Sequence, residues 1–127
     1  SFHSHVIYET MRFSCKVYTP MLDYNNKKYI RFLISDDVKQ RIEYIHNKTP
    51  LHGEKKEDPL EGHVLTVKVP FRYRRVMCTF EGVPVQSLKN DDVVDVDISF
   101  MGVWNYMEYS GYSWKLSYIK LKTECIV

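Results

Sequence analysis

The sequence predicts an all-β barrel carrying one α-helix. Apolar and polar residues alternate with a period of two through most of the chain, helical spacing of apolar residues stands out once, over 36–47, and the connections between these runs are mostly short. At 127 residues the chain has the size of one domain and can bury a core without staples.

Each element follows from its residues. His3 to Glu9 reads as a weak first strand. Met11, Phe13, Cys15 and Val17 then share one face of a strand over 11–18, with Arg12, Ser14, Lys16 and Tyr18 on the other face and Pro20 ending it. Asp23-Tyr24-Asn25-Asn26 is a turn, because Asn and Asp tolerate left-handed backbone. A second strand over 28–35 turns Ile30, Phe32 and Ile34 one way and Tyr29 and Arg31 the other. Ser35-Asp36-Asp37 supplies a cap and negative charge for a helix start, Val38, Ile42 and Ile45 form its apolar stripe, and Asn47 and Pro50 stop it. This helix, Asp36–Asn47, is expected to plug one end of the β structure.

Residues 48–62 read as a mobile, solvated loop, with charges of both signs, Pro59 and Gly62. Strands resume at His63, where Leu65, Val67 and Val69 alternate with Thr66 and Lys68, and Pro70 marks an edge or bend. Residues 71–80 continue as strand up to a turn at Glu81-Gly82. The strongest strand covers 92–103, with Val94, Val96, Ile98 and Phe100 opposite Asp95, Asp97 and Ser99. Residues 106–111 form a turn region and 112–122 the last strand. Phe13, Phe32, Phe80 and Phe100 fall on apolar faces and are expected in the core.

Composition excludes several function classes. Hydrophobic residues make up 44% and charged residues 27%, far from collagen-like or disordered chains. No apolar run approaches the roughly 20 residues of a membrane helix. Cys15, Cys78 and Cys125 are odd in number and far apart, which favours a reducing, intracellular setting over a disulfide scaffold. Ser at position 1 reads as a domain excised from a longer chain. Catalytic signatures for acyl transfer, nucleotide phosphates or zinc proteolysis are absent from the sequence. His3-x-His5 lacks partners for a metal site. Asp95 and Asp97 share a strand face and with Asp91 could hold Mg²⁺ for a nuclease, but a solvent-facing strand side explains them too.

Aromatic and basic residues interleave more pointedly. Phe71-Arg72-Tyr73-Arg74-Arg75 sets three guanidinium groups beside two rings, and Tyr29-Ile30-Arg31 follows Lys27-Lys28. Trp104, Tyr106, Tyr109, Tyr112 and Trp114 cluster ahead of Lys115, Lys120 and Lys122. Single-stranded nucleic acid needs both ingredients, rings on which bases stack and cations that track phosphates. A barrel core and a solvated strand edge would use the same residues.

Residues 88–100, Leu88-Lys89-Asn90-Asp91-Asp92-Val93 and then Val94-Asp95-Val96-Asp97-Ile98-Ser99-Phe100, resemble the approach to an alternating strand in many OB-folds. Gly102-Val103-Trp104, a short turn, and Gly111-Tyr112-Ser113-Trp114-Lys115-Leu116 resemble the last hairpin of OB-fold single-stranded-DNA-binding proteins of phages and large DNA viruses, of the African swine fever virus type. The resemblance covers 86–122 and implies an OB-like barrel without catalysis or cofactor, binding single-stranded DNA during viral genome replication, recombination or repair in the host cytoplasm. RNA is the alternative strand, and a second copy of the chain or replication proteins are further partners; no membrane is implied. Phosphates are assigned to Arg31, Lys68, Arg72, Arg74, Arg75, Lys115 and Lys120, and base stacking to Tyr29, Tyr73, Trp104, Tyr106, Tyr112 and Trp114. The family places its helix between the third and fourth barrel strands, whereas here it comes earlier. A protein–protein interaction module of a replication or virion assembly is the competing reading.

Overall fold

A computed structural model describes residues 9–122. Alternation builds its walls. Strand β1 (Thr10–Tyr24) buries Met11, Phe13, Cys15 and Val17 and turns Arg12, Ser14 and Lys16 outward. It does not stop at Pro20. Its pairing shifts register between Val17 and Thr19 and again between Thr19 and Leu22, and an irregular stretch of this kind tolerates a residue without an N–H. Asn25 and Asn26, at φ 50° and 63°, make a two-residue hairpin turn, both left-handed, as a mirror-type turn requires. Strand β2 (Lys27–Leu33) buries Ile30 and Phe32.

Helix α1 (Asp36–Asn47) forms as its sequence demands. The Ser35 side chain accepts a hydrogen bond from the Val38 N–H at 3.3 Å, and Asp36 and Asp37 sit in the first turn. Val38, Ile42 and Ile45 are buried in the barrel core. After it come β3 (Lys55–Glu57), β4 (Leu60–Glu61), β5 (Val64–Val69), β6 (Phe71–Arg72), β7 (Arg75–Val76) and β8 (Thr79–Glu81). A 3₁₀ turn, Val85–Ser87, leads to the long hairpin of β9 (Val93–Tyr106) and β10 (Tyr109–Leu121).

The ring runs β1–β2–β5–β10–β9 and back to β1. Every pair in it is antiparallel except the closing one, where β5 and β10 run parallel and meet at Lys68 and Lys115. This is an all-β, OB-like barrel. The helix lies between its second and third ring strands. The link from third to fourth holds β6, β7, β8 and the 3₁₀ turn instead. No helix among the described residues is long and apolar enough to cross a membrane.

Several expectations need correction. The 48–62 stretch is held by backbone pairing: β3 runs parallel to the start of β10, Lys55 N–H donates to the Glu108 carbonyl at 2.9 Å, and Gly53 N–H donates to Ser110 Oγ at 2.9 Å. Its mixed charges solvate an outer face without freeing the backbone. The strand expected over 71–80 breaks at Tyr73 and Arg74, whose left-handed φ values of 53° and 63° fold β6 back onto β7. Phe80 is 44% exposed rather than core, because β8 is a three-residue edge segment with little packed over it. The last turn contracts to Met107 and Glu108, since β9 and β10 pair out to Tyr106 and Tyr109. His3, His5, Cys125 and nearly all of the strand expected before Thr10 lie outside the described residues.

Trp114 and Tyr112, assigned above to base stacking, join the helix to the barrel. Trp114 is 1% exposed and donates its Nε1–H to His46 Nε2 at 2.9 Å. The Tyr112 ring stacks on the His46 ring at 3.9 Å, and its hydroxyl reaches the carbonyls of His46, in the last turn of the helix, and of Thr49, just beyond it, at 2.8 and 2.7 Å. Trp114→Phe should therefore cost about 1–3 kcal/mol in urea unfolding, because it leaves a buried acceptor unpaired. Replacing His46 by Leu in the same chain should recover part of that loss. Strictly additive losses would show that the bond does not hold the joint.

Candidate nucleic-acid interface

Closure of the ring decides which outward side chains meet. Tyr29 on β2 is the register partner of Lys68 on β5, and Lys68 is the partner of Lys115 on β10. The next pair along, Arg31 and Thr66, faces outward on the same two strands. Lys27 precedes Tyr29 by two residues and so shares its side of β2. Partial burial first, and then the charges of Lys27 and Lys115, hold the Lys68 ammonium below its ordinary pKa. Among the described residues none of these three lysines forms an ion pair with a carboxylate.

Rings border this row. The Arg31 guanidinium lies 5.3 Å from the centre of the Tyr18 ring and 3.9 Å from Glu61. The Tyr29 phenol is held above its ordinary pKa by burial, then by the charges of Tyr24 and Glu57. Lys28, paired with Asp23, sits 4.9 Å from the Phe71 ring and so ties the root of the β6–β7 hairpin to the β1–β2 end of the barrel. That hairpin carries Arg72, Tyr73, Arg74 and Arg75, all exposed, with Tyr73 at 85%.

The β9–β10 tip carries a second group. Tyr106 is 66% exposed, and Lys55 lies 5.3 Å from the Tyr109 ring. Trp104 is half-buried over its register partner Gly111, where a Cβ would come within 2.5 Å of its ring. Glycine at 111 is what lets that ring lie flat.

The structure thus gathers Tyr29, Arg31, Lys68 and Lys115 on one face, puts Arg72, Tyr73, Arg74 and Arg75 on the adjoining hairpin, and leaves Trp104 and Tyr106 toward the other tip. Lys120 stands apart, 3.9 Å from Glu81. Tyr112 and Trp114 are withdrawn into the helix joint. Lys27, Tyr18 and Tyr24 were missed as candidates, although Lys27 has the same strand parity as Tyr29 and Arg31. The pairing of Lys55 with Tyr109 had no sequence signal, because the 48–62 stretch read as a loop.

The opposite wall is different. Arg12 donates from Nε and Nη2 to the two oxygens of Asp97 at 2.6 and 2.7 Å. The Ser14 hydroxyl donates to Asp95, and Lys122 lies 3.8 Å from Asp95. Tyr118 donates to Glu81 at 2.8 Å. Two of the carboxylates weighed for Mg²⁺, Asp95 and Asp97, are thus engaged by protein cations and a hydroxyl, and no metal-binding group of three acidic, His or Cys residues occurs among the described residues. Comparison with known proteins returned no matching family model, no similar curated protein and no similar solved structure.

Hydrogen bonds from Arg12 hold the Asp97 carboxyl below its usual range. A depressed folded pKa contributes stability that is present above the unfolded value and lost as pH falls. Arg12→Met should therefore be less stable than the parent at pH 7, and the difference should shrink below about pH 4. Urea unfolding at pH 7 and pH 3 measures this, and an equal difference at both would discount the pair.

Proposed function

We propose that the barrel binds single-stranded nucleic acid, single-stranded DNA foremost, without catalysis and largely without regard to sequence. The observation that carries this is the row across the closing seam, where Lys27, Lys68 and Lys115 stand together beside Tyr29 and Arg31 without a carboxylate partner among the described residues. Like charges held side by side destabilise a sheet until an anion arrives. Phosphates supply that anion, and Tyr29 and the outlying Tyr73 offer faces to unstacked bases. A duplex hides those faces. The row has no side-chain amide of the kind that reads base edges, which fits binding indifferent to sequence.

The second and third ring strands, with the loops that join the first to the second and the fourth to the fifth, are where OB-folds hold oligonucleotides; here those loops are the Asn25-Asn26 turn and the β9–β10 tip, and the β6–β7 hairpin is an addition in the link from third to fourth. With the resemblance over 86–122, this supports a role in replication, recombination or repair of a viral genome in the host cytoplasm. A second copy of the chain or other replication proteins would act with it.

Fluorescence anisotropy with a labelled dT oligonucleotide, its duplex and an RNA of equal length, at several salt concentrations, tests this. Salt-sensitive binding that favours the single strand is expected. Lys68→Ala and Lys115→Ala should each weaken binding and lower the log–log salt slope by about 0.7. Arg74→Ala should act in the same direction, and Tyr29→Ala should cost about 1–3 kcal/mol with the slope kept. Lysine variants with the parent's affinity and slope would remove the seam from the interface.

A further inference from the structure

Beyond the seam lies a groove that the row itself does not use. It has a volume of about 360 Å³ and is lined by Arg75, Val76, Met77, Phe80, Pro84 and Gln86. Its walls are anchored. The Met77 N–H donates to the Pro70 carbonyl at 2.8 Å, Phe80 is held in register with Ile119 of β10, and Val85, next to Pro84, is fully buried. Yet its apolar lining is open: Met77 is 47% and Phe80 44% exposed. Polar chemistry comes from the Arg75 guanidinium and the Gln86 amide, and no carboxylate lines it. Glu81, which follows Phe80, engages Tyr118 and Lys120 instead.

Its position in the fold connects it to the lysines. The chain leaves β5 directly after Lys68 and Val69, makes the β6–β7 hairpin, and returns as β8 alongside Tyr118–Lys120 of β10. β8 thus takes the place of β5 beside β10 beyond Lys115, and Phe80, level with buried Ile119, lies on the face of β10 opposite to Lys115, so a bound strand would pass from the seam to the groove round the β6–β7 hairpin that bears Arg75. In the resembled family the helix occupies this link, so the groove is a product of this chain's own topology.

We propose that this groove receives an unstacked base of the same strand that crosses the seam. The inference rests on the single-strand reading above. An anchored ring with an open face suits a flat heterocycle, the cationic rim suits the phosphate attached to it, and the amide supplies a donor and an acceptor for the base edge. The volume falls in the range of about 300–1,000 Å³ typical of small-ligand pockets.

The test is anisotropy binding of labelled dT oligonucleotides from four to sixteen nucleotides to the parent, Phe80→Ala, Phe80→Trp and Arg75→Gln. The parent should gain affinity in a step once the strand reaches the groove. Phe80→Ala should lose that step, weakening long oligonucleotides about 5- to 150-fold while leaving short ones and the salt slope unchanged. Phe80→Trp should keep the step, and Arg75→Gln should lower the slope for long oligonucleotides alone. Phe80 is 44% exposed, so Phe80→Ala removes part of a covered ring, and the unfolding midpoint of each variant, taken alongside, separates loss of the groove from loss of the fold. A Phe80→Ala curve that overlays the parent's at every length would overturn the groove while leaving the seam intact. No binding by the parent at any length would overturn both.

Discussion

The barrel closes at one parallel pair, and both members of that pair are lysines. This constraint organises the rest of the surface. Strand register admits no choice about which side chains sit together once β5 meets β10, and Lys27 from β2 adds a third cation. Such an arrangement costs stability, since like charges directly opposite one another on a sheet repel. A departure from local favourability of this kind is what a binding site would account for, and it is why the seam carries the proposal made above. The opposite wall shows the contrast within one molecule: Arg12, Ser14 and Lys122 meet Asp97 and Asp95 and leave little field behind.

Closure also depends on the helix joint. Trp114 and Tyr112 rise from the middle of β10 toward His46 near the end of α1, so the strand that bears Lys115 is fixed from inside. Lys115 lies between Trp114 and Leu116, both buried, and has to face outward. The aromatic residues thus divide by strand parity. Trp114 holds the wall, while Tyr29 stands on its outer side.

That parity explains how far the fold and the site were legible beforehand. Met11, Phe13, Cys15 and Val17, and again Val94, Val96, Ile98 and Phe100, announce their strands because burial on one face leaves a period of two. Ser35 with Val38, Ile42 and Ile45 announces the helix for the same kind of reason. The resemblance over 86–122 led to the OB-like barrel that the topology shows. Trp114 was misplaced because aromatic residues near turns look accessible in one dimension, although its parity with Leu116 already put it inside. Phe80 erred the other way: its neighbours alternate, but β8 is too short to be covered. The pairing of β3 with β10 and the meeting of Lys68 with Lys115 were not readable at all, because parallel contacts between distant segments leave no local pattern.

The most direct measurement of the central claim is a ¹⁵N NMR titration of the chain with a short dT oligonucleotide. The account predicts that the largest shifts fall on Lys27, Tyr29, Arg31, Lys68 and Lys115, while Arg12, Ser14, Asp95 and Asp97 stay in place. Shifts concentrated on the β1–β9 wall, or a spectrum unchanged at saturating oligonucleotide, would contradict it.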